Sequence, residues 1–426
     1  MSNSTPANYQ NKPFTSPRDP EFLSRRINRY YRDRVMSTWS GGHIMRGLTP
    51  SSDAIHLSSN DYLSIAQHPR ILQAAANSLL SEGNGLLMSG IFLHGANPQL
   101  ELEQRIAHFM QAEAGILCQS GWCANTGLIQ SIADEQTPVY IDMLAHMSLW
   151  EGIRSAGARP ISFYHNAPEH LERQILKQGP GVIIVDSVYS TNGSICPLQE
   201  VVEIGTKHGC VIVVDESHSL GTHGAQGEGM VAMLGLSNKV HFRTASLAKA
   251  FAGRAGFITC SRHFSDYFKF ESNPAIFSST LLPHEVASLN ATLSVIQEEG
   301  WRRTKLHSNA AQLRRHLSDL GYNLNDSQSQ IIALESGTEQ QTIVLRDALE
   351  KRGIFGSVFC APATPKNRAM VRLSINASLD SGELERIAAV CAEIRDEADM
   401  WSWSSTQRSL ANKMLRVSSL PETAPI

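Results

Sequence analysis

The sequence lacks the patterns that mark secreted, zinc-binding, membrane-spanning and nucleotide-hydrolysing proteins. Its seven cysteines are scattered over 426 residues without any Cys-x-x-Cys spacing, which favours a reducing cytoplasm over a disulfide framework or a zinc module. No run of about eighteen apolar residues occurs, and the first twenty residues contain no apolar core, so neither a transmembrane helix nor a signal peptide is expected. The phosphate-binding pattern Gly-x-x-x-x-Gly-Lys-Ser/Thr is absent too, which excludes a helicase-like interpretation of DESH at 215–218.

An excess of charge of one sign is also missing. The 37 basic and 40 acidic residues give a formal net charge of −3, so no overall field favours nucleic acid or an anionic membrane. Residues 24–35, SRRINRYYRDRV, are locally basic, with arginines around two tyrosines. Contact with RNA is one interpretation, but Ile27, Tyr30, Tyr31 and Val35 fall close to helical spacing. The segment is therefore predicted to be a surface helix with a solvated cationic face.

Short apolar runs alternate with helix-like segments through the middle third of the chain. The runs lie at residues 114–119, 138–142, 181–186, 210–216, 241–246 and 256–260. Continuous apolar strands separated by helices predict an α/β fold with a parallel sheet buried on both faces, and ligands of such sheets gather beyond the carboxyl ends of the strands. The polar residues at or just past these ends are therefore expected to converge, namely Ser120, Asp142, Asp186, Asp215 and Ser246.

The length and the 42% content of hydrophobic residues indicate two or three domains. From about residue 289 the pattern changes to one long amphipathic segment that reaches about residue 320, followed by further strands and a closing helix. We predict an N-terminal tail and helix over 1–57, disordered to about residue 20, and a large domain over 58–288. A small α/β domain over 289–400 and a tail over 401–426, partly ordered by its tryptophans, complete the chain.

Lys249 lies in the segment TASLAKAFAGRAG at 244–256, among small residues that follow an apolar run. In that setting its amine could reach the aldehyde of pyridoxal phosphate without steric obstruction. A lone lysine in a loop is more often a solvated charge. The assignment therefore depends on companion residues of the types that this cofactor requires.

Asp215 ends an apolar strand in VIVVDESH, where a buried carboxylate is costly unless a cation faces it. The protonated pyridine nitrogen of pyridoxal phosphate is such a cation, and His218 could then hydrogen-bond the ring oxygen. Two alternatives stay open. The carboxylate could simply cap the next turn, or Asp215, His218 and His223 could bind zinc or iron, although their spacing matches no strong metal motif.

Three further segments offer contacts for the same cofactor. In QSGWCANTG at 119–127, a Ser120-Gly121 turn precedes a predicted helix, whose N–H groups would bind a phosphate. His146 could lie on the pyridine ring, and the hydroxyls of residues 278–280 could bind phosphate. Each segment also has a plain structural interpretation, as an ordinary strand-to-helix turn, a histidine near a strand end and a hydroxyl-rich turn.

Together these segments resemble the α-oxoamine synthases, the fold-type I enzymes that depend on pyridoxal phosphate. The matching segments are NDYL at 60–63, SGWCAN at 120–125, His146, residues 190–193, DESHSLGTHGAQGEG at 215–229 and the lysine segment. Within the family, AHMSLWEG, DSVYST, ESHSLGTHG and AIFSSTLLP are similar to bacterial synthases of α-hydroxyketone autoinducers. The resemblance implies a large domain with a mostly parallel seven-stranded sheet, a smaller α/β C-terminal domain, and a homodimer with active sites at the subunit interface.

The resemblance also implies the catalytic residues. Lys249 would bind the aldehyde carbon of the cofactor and Asp215 would pair with the pyridine nitrogen. His218 would contact the ring oxygen and His146 would stack on the ring.

The remaining contacts are implied in the same way. Cofactor contacts are expected from Ser120, Gly121, Trp122, Ser190, Thr244 and Ser246, and from Ser279 and Thr280 of the neighbouring subunit. Arg372 in VRLSIN would hold the carboxylate of the amino substrate, with Asn60 beside it.

The implied reaction is a Claisen-type condensation of an amino acid with an acyl coenzyme A, in which Lys249 is the general base. Two departures from the family concern substrate choice. Residues 83–95, GNGLLMSGIFLHG, are more apolar than the usual acceptor loop, and NASLDSG at 376–382 lacks a histidine common in relatives. We therefore expect a donor such as 2-aminobutyrate or S-adenosylmethionine, rather than glycine, serine or alanine.

The acyl partner is expected to be a fatty chain of about eight to twelve carbons, because methionine and bulky apolar groups suit a chain of variable shape. The side chains proposed for its pocket are Leu86, Leu87, Met88, Ile91 and Phe92, unless they are ordinary core. The expected product is an α-aminoketone precursor of a quorum-sensing autoinducer. The alternatives are a biosynthetic α-oxoamine synthase for biotin or a sphingoid-like base, and a catalytically silent protein that kept the fold.

Overall fold

The computed structural model describes residues 16–409, which group into two compact units that divide between Arg46 and Gly47. The first unit holds α1 (Glu21–Tyr30) and a π-helical turn over Tyr31–Thr38. No residue of α1 is buried within the structure, so its arginines lie on an exposed helix, as the sequence predicted. The N-terminal tail was predicted to be disordered to about residue 20. Residues 1–15 of that tail, and the end of the C-terminal tail, lie outside the described residues.

The second unit contains thirteen helices and twelve strands within the described residues. The helices are α2 (Pro69–Glu82), α3 (Pro98–Phe109), α4 (Gly121–Ile132), α5 (Met147–Ser155), α6 (Pro168–Gln178), α7 (Leu198–Lys207), α8 (Met230–Met233), α9 (Arg262–Glu271), α10 (Asn273–Phe277), α11 (Pro283–Glu298), α12 (Trp301–Asp319), α13 (Glu339–Glu350) and α14 (Ser381–Glu393). The strands are β1 (Ile55–His56), β2 (Ala114–Cys118), β3 (Pro138–Asp142), β4 (Arg159–Phe163), β5 (Val182–Asp186), β6 (Val211–Asp215), β7 (Phe242–Ser246), β8 (Gly256–Cys260), β9 (Ile331–Gly337), β10 (Ile354–Phe355), β11 (Ser357–Phe359) and β12 (Ala369–Ser374).

A seven-stranded sheet in the order β2-β8-β7-β6-β5-β3-β4 forms the centre of this unit. All strands run parallel except β8, which is antiparallel to both of its neighbours. The predicted mostly parallel, seven-stranded sheet of the fold-type I class is therefore confirmed. Because β2 and β7 flank β8, their carboxyl ends point to the same edge as those of β3, β5 and β6.

One strand of this sheet escaped the sequence analysis. β4, with the sequence RPISF, lies at the sheet edge and is mostly exposed except for Phe163. An edge strand tolerates Pro160 and needs no continuous apolar run, so the pattern that identified the central strands was missing.

The core of the sheet is formed by interleaved aliphatic side chains of the strands, α4 and α5. Leu128 and Ile129 of α4 and Leu149 and Ile153 of α5 are fully buried in one cluster with the inner strands. Burial of one such side chain contributes about 1.5–3 kcal/mol. The packing fixes both helices against the sheet and with them the residues at their N-termini.

The C-terminal part contains a three-stranded antiparallel sheet, β11-β12-β9, and the strand β10, which pairs in parallel with β1 from residues 55–56. The predicted amphipathic segment from residue 289 to 320 is in fact two helices, α11 and α12, with a break at Glu299 and Gly300. The predicted boundary between residues 288 and 289 falls inside α11. The predicted division into a large and a small domain stays a prediction.

No helix of residues 16–409 has both the length and the apolar character needed to cross a membrane. All seven cysteines lie in this part of the chain and are free thiols.

Candidate active site

A cavity of about 500 Å³ opens at the carboxyl edge of the central sheet. It is lined from β5 and β6, from the N-termini of α4 and α5, and from the loop that follows β7. Among the residues predicted from sequence, its lining contains Asn60, Gly121, Trp122, His146, Asp186, Ser190, Asp215, His218, Ser246, Lys249 and Arg372. The convergence expected from the strand-end rule is therefore found for most of these residues.

Lys249 lies three residues beyond the end of β7 and is half-buried in the cavity wall. Burial lowers the pKa of its amine, and the positive charge of Arg372 lowers it further, whereas Asp215 opposes the shift. A larger fraction of the amine is thus neutral near neutral pH, which is the form that attacks a carbonyl carbon or accepts a proton.

Asp215 ends β6 and is 4% exposed. One carboxylate oxygen accepts a hydrogen bond from the backbone N–H of Ser217 at 2.8 Å, and the other accepts one from Nδ2 of Asn125 at 2.7 Å. The sequence analysis assigned no role to Asn125. The sequence contains no signal for it, because the 2% exposure of Asn125, which requires a buried partner for its amide, is a property of the fold.

His218 is buried at the cavity wall, and its Nδ1 lies 2.7 Å from the hydroxyl of Tyr62. Burial holds the pKa of its ring well below the usual value, and the charges of Lys249 and Arg372 act in the same direction. The imidazole is therefore neutral at physiological pH, with a single N–H. Tyr62 was part of the NDYL segment in the sequence analysis but had no assigned role.

His146 caps the N-terminus of α5, where its Nδ1 contacts both the hydroxyl and the backbone N–H of Ser148. Its ring faces the cavity at 82° to the ring of Trp122, with 6.3 Å between the centroids. Burial lowers the pKa of His146, and the charge of Asp215 opposes the shift. A neutral, edge-supported ring of this kind can lie against a planar ligand.

The N-terminus of α4 forms a concave backbone surface beside Lys249. Ser120 caps the helix by accepting a hydrogen bond from the N–H of Cys123 at 3.1 Å. A Cβ atom at Gly121 would lie 2.6 Å from Cβ of Ser246, so only glycine allows the helix to approach β7 this closely. The helix N-terminus, with Ser246 beside it, could hold an anionic group.

Arg372 projects from β12 and is 4% exposed. Its guanidinium donates to the backbone carbonyl of Ser190 at 2.7 Å and to Oδ1 of Asn60 at 2.9 Å, and it lies over the ring of Phe359. Its buried Nε has no protein partner. A fixed, partly unsatisfied guanidinium is suited to a carboxylate.

Asp186 ends β5 directly beside Asp215 in the sheet register and lines the cavity. One oxygen accepts the backbone N–H of His146 at 3.3 Å. Burial raises the pKa of its carboxyl well above the usual value, and the charge of Asp215 adds to the effect. The sequence predicted its position at the strand end but gave it no chemical role.

Four of the predicted cofactor contacts do not line the cavity of their own chain. Ser120 acts as the helix cap described above. Thr244 is fully buried inside the sheet, where its hydroxyl has no protein partner, so it is a neighbour of the site rather than part of its wall. Ser279 and Thr280, which were expected to act on a neighbouring subunit, line no part of this cavity.

Residues 83–95 do not line the cavity of their own chain either. The side chains of Leu86, Leu87 and Phe92 are 75%, 72% and 57% exposed, so these three are not core in the single chain, whereas Met88 and Ile91 are partly buried. The apolar wall of the cavity comes instead from Met143, Leu144, Met147, Trp150 and Phe359.

The alternative metal site at Asp215, His218 and His223 gains no support. Nδ1 of His223 contacts its neighbour Thr222 at 2.9 Å, and its ring packs against His307, away from the cavity lining. Within residues 16–409 no cluster of three potential ligands has metal-binding geometry. Asp142, another strand-end residue, binds His165 and the N–H groups of Leu144 and Asn166 rather than the cavity.

The residues present fit pyridoxal phosphate. A lysine with a lowered pKa, a buried carboxylate fixed by two donors, and a helix N-terminus that only glycine can form stand around one cavity. These features supply an amine for the aldehyde, an anion for the pyridinium and donors for the phosphate.

Comparison with known proteins agrees with this geometry. The family model described as aminotransferase class I and II matches residues 52–390. The CAI-1 autoinducer synthase of Vibrio campbellii is 44% identical over 389 residues, which cover 91% of this chain and 98% of the relative. The 8-amino-7-oxononanoate synthase of Coprothermobacter proteolyticus is 32% identical, over 78% of this chain and 85% of the relative.

Solved structures show the same fold. A serine palmitoyltransferase from S. paucimobilis with bound PLP and myriocin superposes with a TM-score of 0.80 at 24% identity, covering 89% of this chain and 98% of that one. The 8-amino-7-oxononanoate synthase of Francisella tularensis has a TM-score of 0.72 at 21% identity, covering 82% and 99%.

Proposed function

Because the chain belongs to the aminotransferase class I and II family, as a pyridoxal-phosphate-dependent acyltransferase of the α-oxoamine synthase type, we propose that it makes the precursor of a quorum-sensing signal. The reaction joins a medium-chain fatty acyl-CoA to an amino donor, 2-aminobutyrate or S-adenosylmethionine, and yields an α-aminoketone. The observation that carries the proposal is the 44% identity to an autoinducer synthase along almost the whole of both chains.

We assign the aldehyde carbon of the cofactor to Lys249, and its pyridine ring to Asp215, His218 and His146. Bound pyridoxal phosphate withdraws electrons from the α-carbon of the amino substrate. Asn125 and Ser217 hold the two oxygens of Asp215, so its carboxylate would face the ring nitrogen in a fixed orientation. His218 donates to the ring oxygen, and His146 covers one face of the ring.

We assign the phosphate group of the cofactor to the N-terminus of α4, where Gly121 and Trp122 present backbone N–H groups, and to Ser246. The hydroxyl of Ser217 accepts a hydrogen bond from the N–H of Ser246 at 2.7 Å, which joins the end of β7, before Lys249, to the segment that follows Asp215. The two ends of the cofactor site are thereby held at a fixed separation.

Arg372 binds the carboxylate of the amino donor. Asn60 and the carbonyl of Ser190 fix the plane of its guanidinium, so the carboxylate meets a preorganised fork. This contact orients the α-carbon towards Lys249, whose lowered pKa lets its amine take the α-proton.

The acyl tail occupies the apolar side of the cavity. Met143, Met147 and Trp150 offer polarisable surface that adapts to a flexible chain, and each buried methylene contributes about 0.8 kcal/mol. These side chains also exclude water from the reacting thioester. By the homodimer proposal, a second copy adds the exposed apolar loop 83–95 to this wall.

The main alternative within the family is a biosynthetic α-oxoamine synthase, which the 32% identity to an 8-amino-7-oxononanoate synthase supports. The two activities differ in the thioester and donor that they accept. A catalytically silent binding protein fits less well, because Lys249, Asp215 and Arg372 all line one cavity. The cytoplasmic location, which the cysteine pattern suggested, stays a prediction.

Mass spectrometry of the product tests the proposal. The purified chain is incubated with a mixed panel of acyl-CoA thioesters and amino acids, including 2-aminobutyrate, S-adenosylmethionine, alanine and serine. We expect an α-aminoketone from a thioester of about eight to twelve carbons and one of the first two donors. A product from alanine and a carboxyl-bearing thioester would support the biosynthetic alternative, and binding without any product would support the silent protein.

A further inference from the structure

A chain of polar contacts no longer than 3.2 Å links His218 to Arg372 through Tyr62 and Asn60, two residues without an assigned chemical step. The Tyr62 hydroxyl lies 2.7 Å from Nδ1 of His218 and 3.2 Å from Oδ1 of Asn60. The same Asn60 oxygen accepts a hydrogen bond from Arg372 at 2.9 Å. The chain therefore joins the residue assigned to the cofactor ring with the residue assigned to the substrate carboxylate.

The chemistry of the four side chains determines how many protons lie between them. Arginine has only donors, so the Asn60 atom that faces Arg372 is the amide oxygen, which can only accept. Burial raises the pKa of Tyr62 to about 12, although the charge of Arg372 opposes the shift. Tyr62 therefore keeps one proton, and this proton has two possible acceptors, Nδ1 of His218 and Oδ1 of Asn60.

The geometry favours His218 as the acceptor. The contact to Nδ1 is the shorter by 0.5 Å (3.2 against 2.7 Å), and the Asn60 oxygen is already engaged by a charged donor. Because the buried imidazole is neutral, a hydrogen bond accepted at Nδ1 leaves its only proton on Nε2. If the tyrosine proton went to Asn60 instead, Nε2 of His218 would be an acceptor and would repel an oxyanion.

We infer that Tyr62 is a positioning residue that holds His218 in the Nε2-protonated tautomer, so that His218 donates a hydrogen bond into the cavity. The backbone of His218 is fixed as well, because its carbonyl accepts from Gln330 at 2.8 Å and from the hydroxyl of Thr222 at 3.1 Å. The ring can thus respond to Tyr62 without moving. The inference rests on the proposed contact of His218 with the cofactor, but its first test does not.

The first test measures the tautomer itself. The full chain, labelled with ¹⁵N-histidine, is examined by NMR with pyridoxal phosphate bound and again without it, and His218→Gln identifies the signal. We expect Nε2–H in the unsubstituted chain in both states. In Tyr62→Phe, the ratio of the Nε2-protonated to the Nδ1-protonated ring should fall about tenfold in the cofactor-free chain.

Matched variants separate this effect from a loss of packing. Tyr140→Phe removes the hydroxyl of another fully buried tyrosine, which donates to Gly179 outside the cavity, and should leave the His218 signal unchanged. Asn60→Ala removes the competing acceptor and should keep Nε2–H. An Nδ1–H signal in the unsubstituted chain, or an unchanged ratio in Tyr62→Phe, overturns the inference.

The second test uses kinetics of the loaded enzyme. Tyr62→Phe should lower kcat about tenfold with KM for the amino donor changed less than about threefold, because His218 acts on the cofactor and not on the substrate. Asn60→Ala should mainly raise KM, because it loosens Arg372. Equal effects of both variants on KM would contradict the inference. Failure of the unsubstituted enzyme to form any product would refute the proposed function while leaving the NMR result intact.

Discussion

Lys249 and Asp215 place opposite charges in one half-enclosed cavity, and each has a geometry that suits one part of the same cofactor. Burial and the charge of Arg372 lower the pKa of the amine. The carboxylate is fixed by Asn125 and Ser217. Both residues line the same cavity at the carboxyl edge of the sheet, and this shared position supports a chemical role for both.

Lys249→Ala should remove the yellow colour expected of the protein as purified with pyridoxal phosphate. Borohydride should attach the cofactor covalently to the peptide that contains Lys249, and to no peptide of the variant. Product formation should fall by about 10² to 10⁴ when the general base is lost. Labelling of a different lysine in the unsubstituted protein would show that the assignment is wrong.

Asp215→Asn should keep the site folded, because the new amide oxygen can accept from Ser217 and its NH2 can donate to the unpaired oxygen of Asn125 after that amide flips. The variant should lose the charge that stabilises a pyridinium. We expect the variant to bind pyridoxal phosphate through the phosphate contacts and to lose at least about a hundredfold in kcat. Absorption spectra measure cofactor content, and steady-state kinetics measure turnover. Near-normal kcat would remove Asp215 from this role.

His223 predicts a pH dependence of stability. Burial lowers the pKa of its ring to about 3, and the neighbouring His307 adds to the shift. Above about pH 6.5 the ring is neutral in both the folded and the unfolded chain. Below that value only the unfolded chain takes up the proton, so stability is lost as the pH falls, by about 2 kcal/mol between pH 7 and pH 5.

Denaturant unfolding at the two pH values compares the natural chain with His223→Gln. The variant should lose about 2 kcal/mol less between pH 7 and pH 5, whatever its stability at pH 7. An identical loss in both chains would mean that His223 is protonated in the folded state.

At the scale of single residues, the sequence predicted which residue types stand at the strand ends but not which residues they would hydrogen-bond. Asp215, Lys249 and His218 follow apolar runs or match a family segment, so local pattern was enough. Asn125 lies 90 positions from the Asp215 that it binds, and Tyr62 lies 156 positions from His218. Such pairs depend on the packing of whole elements, which a single sequence does not specify.

Helix α4 is the element on which the phosphate end depends. Its N-terminus lies against Ser246 because Gly121 has no side chain, and its inner face carries Asn125 to Asp215. The helix is buried along most of its length, which fixes its axis relative to the sheet. One element thus sets the distance between the two ends of the cofactor site.

Gly121→Ala should weaken the binding of pyridoxal phosphate, since the new Cβ would lie 2.6 Å from Cβ and 2.9 Å from Cα of Ser246. We expect the Kd to rise at least about tenfold, as measured by fluorescence titration. Gly382→Ala is the matched control. It lies in the first turn of α14, where the nearest atom to a new Cβ is at 3.4 Å, and alanine should be neutral or stabilising there. Equal affinities in the two variants would contradict the proposed phosphate site.

Elements with a strong apolar signal were predicted within one or two residues, and weak ones were not. The apolar runs at 138–142 and 256–260 coincide with β3 and β8. The edge strand β4 lacked an apolar run. The break between α11 and α12 was missed because apolar residues continue on both sides of Gly300.

At the scale of the whole molecule, residues 83–95 and the segment around Phe277 leave an apolar surface uncovered in the single chain. Residues 83–95 expose Leu86, Leu87 and Phe92, and Phe277 beside Ser279 is 80% exposed. The two segments form one surface, since Thr280 donates its N–H to the carbonyl of Met88 and Ser89 pairs with Ser279. A continuous apolar surface of this kind supports the proposed homodimer.

Subunit complementation tests the homodimer and the role of Ser279 in the neighbouring site. Lys249→Ala and Ser279→Arg should each abolish most activity in separate preparations. After unfolding and refolding as an equal mixture, half of the dimers should be mixed, and each mixed dimer should contain one intact site. We expect about a quarter of the unsubstituted activity to return. A mixture no more active than its components would show that Ser279 does not act across subunits.

The central claim is that the chain joins a medium-length acyl chain to an amino donor, and release of coenzyme A across a series of acyl thioesters tests it most directly. With 2-aminobutyrate or S-adenosylmethionine as donor, kcat/KM should rise several-fold per carbon, because each buried methylene contributes about 0.8 kcal/mol, and should peak between about eight and twelve carbons. Acetyl-CoA and succinyl-CoA should be poor substrates, and Lys249→Ala should be inactive with all of them. A flat profile, or a preference for succinyl-CoA, would contradict the account.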